Sequence, residues 1–82
     1  SPVAKLSNRE LEILALLGQG YTSEMIAQRL FLSRNTIGTY RERLKTKLNL
    51  KNYSELLFFA IHWADGSERK IVQQDATQAV QP

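Results

Sequence analysis

Between residues 34 and 51 the chain concentrates side chains that can bind anions. Six cations stand there against one anion, Glu42, whereas residues 65–82 carry a net charge of −1. A local excess of five positive charges over eighteen residues is typical of phosphate contact. Charge runs are also commonly just a solvated helix face, so charge alone leaves both interpretations open. The six cations are Arg34, Arg41, Arg43, Lys45, Lys47 and Lys51.

Polar side chains that match the hydrogen-bonding edges of bases occupy the same stretch. At helical spacing they share the face opposite an apolar stripe formed by Ile37, Leu44 and Leu48. Arginine can fork onto guanine, asparagine onto adenine, a threonine methyl can contact thymine, and glutamate can accept from cytosine N4. A glycine inside the helix would permit close approach, although simple tolerance explains it equally well. The base-reading candidates are Arg34, Asn35, Gly38, Thr39 and Glu42.

Hydroxyl groups and cations supply a second set of candidates, for phosphate contact. The free N–H groups at two predicted helix starts, beside Ser33 and around Thr22, can also bind a phosphate. Two of these residues have an alternative interpretation in which they do not contact phosphate. Tyr40 would then be a half-buried core residue, and Arg41 would be the partner of an acid such as Glu10 or Glu24. The full set is Thr22, Ser23, Ser33, Thr36, Tyr40, Arg41, Arg43 and Lys47.

A helix-turn-helix is the element that would position these side chains. Ala27 allows close helix contact, Phe31 falls in the turn four residues later, and the β-branched Ile37 fixes the second helix to the core. If the turn requires a positive φ, phenylalanine costs about 1 kcal/mol there. The pattern places the second helix of the motif in a DNA major groove.

Capping signals and periodicity predict an all-α fold, a four-helix bundle that contains the helix-turn-helix. Ser7 with Glu10 and Asn52 with Glu55 have capping-box spacing, and Gly18 and Gly20 are expected to end the first helix. The predicted helices are 8–17, 23–31, 34–48 and 53–64, with Gly66 closing the last. Residues 1–5 are predicted as an N-terminal linker, 6–65 as the domain, and 66–82 as a flexible, polar C-terminal tail.

The fourth predicted helix carries more apolar surface than one core requires. Its apolar residues cover over half the circumference, against the stripe of about 100° that a small domain buries. Either this helix is central to the core, or it also packs against a second copy, and the excess favours a homodimer. The interface candidates are Phe58, Phe59, Ile61, His62 and Trp63.

Composition bounds the remaining function classes. Without cysteine there is no thiolate metal site or disulfide, so we expect a cytoplasmic protein with no metal and no cofactor. No apolar run reaches about 18 residues, so we expect no membrane span. The lone His62 has no nucleophile or carboxylate arrangement around it, so we expect no enzyme activity. A first residue other than Met indicates a fragment of a longer protein.

Over about residues 5–64 the chain resembles the C-terminal output domain of LuxR/FixJ-type bacterial regulators. The matching residues are Leu6-Ser7-x-Arg9-Glu10-x-Glu12-Ile13-Leu14, Gly20-Tyr21-Thr22-x-x-x-Ile26-Ala27-x-x-Leu30-x-Leu32-Ser33, Thr36-Ile37-x-Thr39-Tyr40-Arg41-x-Arg43-Leu44-x-x-Lys47-Leu48 and Glu55-Leu56. The chain departs from the family at Gly38, where lysine is common, and at Glu42, where a cation can occur.

The resemblance implies sequence-specific binding of double-stranded DNA by a dimer joined through the fourth helix. It also implies an attached N-terminal sensing domain, frequently a phosphorylatable receiver, and hence a two-component response regulator. Because of Gly38 and Glu42, the family's base preferences are not carried over. The alternative class is a helix-turn-helix used for protein contact, as in a sigma-factor-like module, which an acidic Glu42 slightly favours.

Overall fold

A computed structural model describes residues 2–65, which form a short 3₁₀ helix and four α-helices. The 3₁₀ helix is Pro2–Lys5; α1 is Asn8–Gly18, α2 is Ser23–Leu30 and α3 is Arg34–Leu48. Helix α4 covers 53–65, where the described residues end. The all-α prediction is confirmed, with α1 one residue longer and α2 one residue shorter than expected. The predicted tail at 66–82 and the closure by Gly66 lie outside the described residues.

Side-chain caps begin each helix as the sequence predicts. Ser7, Thr22 and Ser33 accept hydrogen bonds from the amides three residues on, at 3.0–3.1 Å. The Glu10 carboxylate completes the box by accepting from the Ser7 amide. At α4 the Asn52 side chain accepts from the Glu55 amide at 2.9 Å, as predicted, but the Glu55 carboxylate accepts from the amide of Lys51 instead of that of Asn52. These bonds satisfy N–H groups that a helix leaves without intrahelical partners.

The core gathers the apolar stripes of all four helices. The predicted stripe of α3 is confirmed, since Ile37, Leu44 and Leu48 are buried. Helix α4 contributes Leu56 and Ala60, both fully enclosed, so this helix is part of the core as well as carrying exposed apolar surface. The most deeply buried side chains are Ile13, Leu14, Leu17, Ile26, Ile37, Leu44 and Leu56.

One residue of the segment predicted as an N-terminal linker packs onto this core. Val3 lies against the buried cluster, and its carbonyl accepts from the amide of Leu6 at 3.1 Å. A four-residue segment beginning at a proline offers too few positions for any periodic pattern to show in the sequence.

Gly18 ends α1, as predicted, and it has a second role that the sequence did not indicate. It is the last helical residue of α1, and a Cβ built on it would lie 2.5 Å from the carbonyl oxygen of Ala60. A glycine is therefore also needed there for the close crossing of α1 and α4. Gly20, with φ at 96°, makes the turn that follows.

The turn between α2 and α3 has the left-handed conformation considered from the sequence. Phe31 has φ 58° and ψ 42°, and Leu32 N–H donates to the carbonyl of Ala27 at 2.9 Å. Asn49 ends α3 with the same φ, and Leu50 donates to Lys45. Both ends follow the Schellman pattern, in which a left-handed residue lets later amides reach back to the last turn. The short turn sets the angle at which α3 leaves α2.

Candidate nucleic-acid interface

Helix α3 presents one continuous exposed stripe to the exterior. Asn35, Thr39, Glu42 and Thr46 are exposed and lie three or four residues apart, so they form a row along the helix. The row holds no cation. At 100° per residue, Arg34 and Lys45 fall on one side of it and Arg43 and Lys47 on the other. Three base-reading candidates, Asn35, Thr39 and Glu42, thus share this row with Thr46, which was not predicted from the sequence, whereas the candidate Arg34 lies on a flank.

Gly38 lies beside this stripe with nothing opposite it. Apart from its two chain neighbours and the nearby backbone of α3 itself, no atom of residues 2–65 lies within 4 Å of the position that its Cβ would take. Internal packing therefore does not require a glycine at this position, unlike at Gly18. The consequence is a segment of bare helix backbone that an external surface can approach closely.

Glu42 is paired along the helix rather than isolated. Its carboxylate lies 2.7 Å from the Lys45 ammonium, and the glutamate side chain is 70% exposed. An exposed pair of this kind is worth at most about 1 kcal/mol, because water screens the charges. Glu42 can therefore exchange this partner for another donor at small cost.

The first turn of α3 joins two of the phosphate candidates. Ser33 accepts from the amide of Thr36, and its hydroxyl donates to the Thr36 hydroxyl at 2.9 Å. Ser33 caps the amide of Thr36, and the other N–H groups of the first turn have no partner within the helix. A helix start with this geometry attracts anions through its aligned peptide dipoles.

Tyr40 matches the alternative considered for it. Its ring is half-buried and packs against the core, while the guanidinium carbon of Arg43 lies 5.5 Å from the ring centroid. The tyrosine therefore supports Arg43 at the edge of the exposed stripe.

Arg41 pairs with neither of the acids considered for it. Its Nη1 donates to the hydroxyl of Ser23 at 2.9 Å, and its guanidinium carbon lies 4.3 Å from the centroid of the Tyr53 ring. The interpretation of an ion pair with Glu10 or Glu24 is wrong, because a serine and an aromatic face occupy its side chain. Tyr53, at the start of α4, was not among the selected residues, and its contact with Arg41 has no local signal in the sequence.

Lys47 forms the ion pair instead. Its ammonium lies 2.8 Å from a carboxylate oxygen of Glu10, a residue only 2% exposed. The bond from Lys47 holds the pKa of Glu10 below its ordinary value; the Ser7 cap acts in the same direction and burial opposes it. The Lys47 side chain is 39% exposed, so this phosphate candidate is committed in part to the fold.

The dimer candidates on α4 fall into two groups. Phe58, Ile61 and His62 are exposed, and the Phe58 and His62 rings lie 4.0 Å apart between centroids. Phe59 and Trp63 are half-buried and pack against the core. An open apolar groove runs along the exposed group, lined by Leu50, Ser54, Glu55, Phe58, Phe59 and His62. Among the described residues, no helix is long and apolar enough to cross a membrane.

Comparison with known proteins places most of the described region in one family. A family described as "Bacterial regulatory proteins, luxR family" matches residues 4–60. The oxygen regulatory protein NreC of Staphylococcus epidermidis is 45% identical over 60 residues, which are 73% of this chain and 28% of NreC. BvgA of Bordetella pertussis, named as a transcription regulator of virulence factors, is 47% identical over 58 residues, which are 71% of this chain and 28% of BvgA. The chain thus spans little more than a quarter of the length of these relatives.

Proposed function

Since the chain belongs to the luxR family of bacterial regulatory proteins, we propose that it is the DNA-binding domain of a transcription regulator, with α3 in the major groove. Membership of a family of regulators also confirms the prediction that the chain is not an enzyme. The proposal that particular residues of this chain contact DNA rests on the geometry of α3.

The observation that best supports this function is the arrangement of charge around the exposed stripe of α3. A helix in the major groove points its outer row at base edges and its flanks at the two phosphate backbones. The outer row here has amide, hydroxyl and carboxylate groups, and the flanks have Arg34 and Lys45 on one side and Arg43 on the other. If this face served only solubility, cations would be expected along its centre as well as on its flanks.

A salt titration tests this function. The 82-residue chain should bind a duplex of roughly 20 base pairs with an affinity that falls steeply as salt rises, because phosphate contacts release counterions. Arg43→Ala should weaken binding to all sequences and reduce the slope by about one. Arg9→Ala is the matched control: this arginine belongs to α1 and pairs with Glu12 on the same helix, so its loss should leave the slope unchanged.

Base reading is tested separately by selection from random duplexes. Asn35→Ala or Thr39→Ala should change the selected sequence, whereas a uniform loss of affinity would refute their assignment to bases. A chain without any duplex affinity at low salt would favour the alternative function, a helix-turn-helix for protein contact, to which the acidic Glu42 is suited.

The exposed apolar side of α4 supports dimerisation as the second part of the proposal. Two copies joined through Phe58, Ile61 and His62 would place two α3 helices about one helical turn of DNA apart. Binding of the second module then benefits from a high effective concentration.

The size of the relatives supports a larger regulator. Because the chain covers 28% of NreC and of BvgA, we propose that it is the output part of a cytoplasmic protein with an N-terminal sensing or receiver domain. Sequencing the gene upstream of Ser1 tests this: a receiver domain there would make it a two-component regulator, and an adjacent unrelated gene would refute the proposal.

A further inference from the structure

Three elements meet at the side chain of Arg41. The residue belongs to α3, its Nη1 donates to Ser23 in the first turn of α2 at 2.9 Å, and its guanidinium lies on the face of Tyr53 in the first turn of α4. All three residues are half-buried. The arginine is therefore held at both its face and one end, which is unusual for a long cationic side chain at a surface.

This fixation leaves one edge of the guanidinium without a partner. Within residues 2–65 the Nε of Arg41 is shielded from solvent and has no hydrogen-bond acceptor. Such an unmet buried donor is uncommon, because leaving it unpaired costs free energy. Nη2 lies on the same edge as Nε and, unlike Nε, is not shielded, so it is the donor that a phosphate oxygen can reach.

The neighbouring groups favour an anion at that edge. Ser23 belongs to the first turn of α2, where outward N–H groups and the helix dipole attract negative charge. The Thr22 hydroxyl already accepts from the amide of Met25, which fixes the shape of this turn. A phosphate bound at this turn would lie next to the guanidinium of Arg41, whose Nη1 already contacts Ser23.

We propose that Tyr53 is a positioning residue for DNA binding, which holds Arg41 against the first turn of α2 so that the two form one site for a backbone phosphate. The proposal deepens the proposed function and rests on it. Tyr53 does not itself touch the phosphate. It removes the rotational freedom of Arg41 before binding, so less conformational entropy is lost when the DNA arrives.

Binding of a duplex of arbitrary sequence tests the proposal, since phosphate contact is independent of sequence. Tyr53→Leu removes the aromatic face and should lower affinity roughly two- to fivefold. Tyr53→Phe keeps the aromatic face, so this variant should bind the duplex as tightly as the unchanged chain does. Arg41→Ala should lower affinity and reduce the salt slope by about one. Once Arg41 is absent, adding Tyr53→Leu should cause no further loss, because Tyr53 acts only through the arginine.

Tyr21→Leu is the matched control. Tyr21 is also half-buried against the core and carries an arginine, Arg29, over its ring at 5.5 Å. Its loss should leave duplex affinity unchanged while it perturbs the fold to a similar extent. Thermal melting of each variant shows that it is folded at the temperature of the titration.

The outcomes distinguish failure of the proposed DNA-binding function from failure of the positioning role of Tyr53 alone. If the unchanged chain fails to bind a duplex at low salt, the proposed function falls. If it binds and Tyr53→Leu binds equally well, or if the losses from Tyr53→Leu and Arg41→Ala add in full, only the positioning role is overturned. Arg41→Lys gives a reading that is independent of Tyr53: the charge and slope remain, but affinity falls severalfold because the planar fork is lost. Unchanged affinity in Arg41→Lys would also overturn the proposal.

Discussion

Glu10 joins two distant parts of the chain through one carboxylate. It accepts from the Ser7 amide that begins α1 and from the Lys47 ammonium near the end of α3. Since both donors favour the charged form, they outweigh the effect of burial and keep the pKa of Glu10 low. The residue is therefore at once a helix cap and a link between α1 and α3.

The pKa of Glu10 makes stability depend on pH at the acid end. Because folding lowers this pKa, the unfolded chain binds the proton more tightly, so the stabilisation is present above the ordinary glutamate pKa of about 4.3 and is lost as pH falls through the folded value. Glu10→Gln keeps a capping side chain but removes the charge. It should lower the free energy of unfolding at neutral pH by about 1–2 kcal/mol, less than for a fully buried pair because Lys47 is partly in water.

Urea unfolding at several pH values measures this prediction. The difference between the unchanged chain and Glu10→Gln should shrink below pH of about 4. Glu12→Gln removes an exposed carboxylate paired with Arg9 and serves as the control with little effect. A difference that persists at low pH would show that Glu10 acts through packing instead of charge.

Phe31 has a strained backbone conformation, and its exposed ring makes no packing contact within residues 2–65 that would offset the strain. It has a φ of 58° and is 94% exposed, so the left-handed backbone is adopted without compensating burial. Phe31→Gly should raise the free energy of unfolding by about 0.5–1 kcal/mol, because glycine adopts this conformation freely. Phe31→Ala loses the same ring but retains the strain, and it should give no gain. Chemical denaturation of both variants distinguishes relief of strain from loss of the aromatic group.

At the scale of elements, two glycines in helices have opposite surroundings. Gly18 lies where α1 crosses α4, and a Cβ built on it would be 3.0 Å from the Ala64 Cβ, whereas one built on Gly38 of α3 meets open space. Helix propensity alone treats the two positions alike, since glycine costs about 1 kcal/mol at either. Packing between helices separates them.

Alanine at each glycine should therefore change stability in opposite directions. Gly18→Ala should destabilise the chain by about 1–3 kcal/mol, because backbone of α4 must move away from the new Cβ. Gly38→Ala should stabilise it by about 0.5–1 kcal/mol, because no neighbour is met. Thermal or urea unfolding measures both. An equal effect of the two substitutions would refute the close α1–α4 crossing.

At the scale of the whole molecule, the two proposed contact surfaces lie on different helices. Helix α3 presents polar groups flanked by cations, whereas α4 presents Phe58 at 66% exposure and Ile61 at 39%. A polar face with flanking charge is suited to DNA, and an apolar groove is suited to another protein surface. The two proposed contacts therefore do not compete for the same residues.

Charging the groove on α4 should separate association from folding. Phe58→Glu should leave the chain folded, since the ring is mostly outside the core, but should abolish self-association in sedimentation measurements. It should also weaken binding to a duplex with two half-sites more than binding to one half-site. Met25→Glu, which charges an exposed apolar residue on α2, should leave self-association unchanged. Intact dimers of Phe58→Glu would refute the α4 interface.

Much of this molecule follows from short-range patterns. The caps at Ser7, Thr22 and Ser33, and the stripe of Ile37, Leu44 and Leu48, depend on residues within a few turns of each other, so they were predictable together with the helices. The same periodicity predicts that Asn35, Thr39 and Glu42 lie on one face of α3, but Arg34 lies at the flank of that face.

The tertiary structure alone decided which partners the charged and small residues have. Lys47 reaches Glu10 across 37 positions, Arg41 reaches Ser23 across 18, and Gly18 meets Ala60 on another helix. Periodicity fixes which side of a helix a residue occupies, because that depends on backbone geometry repeated at every turn. It does not fix which neighbour lies opposite, because that depends on how the helices cross when the whole core packs.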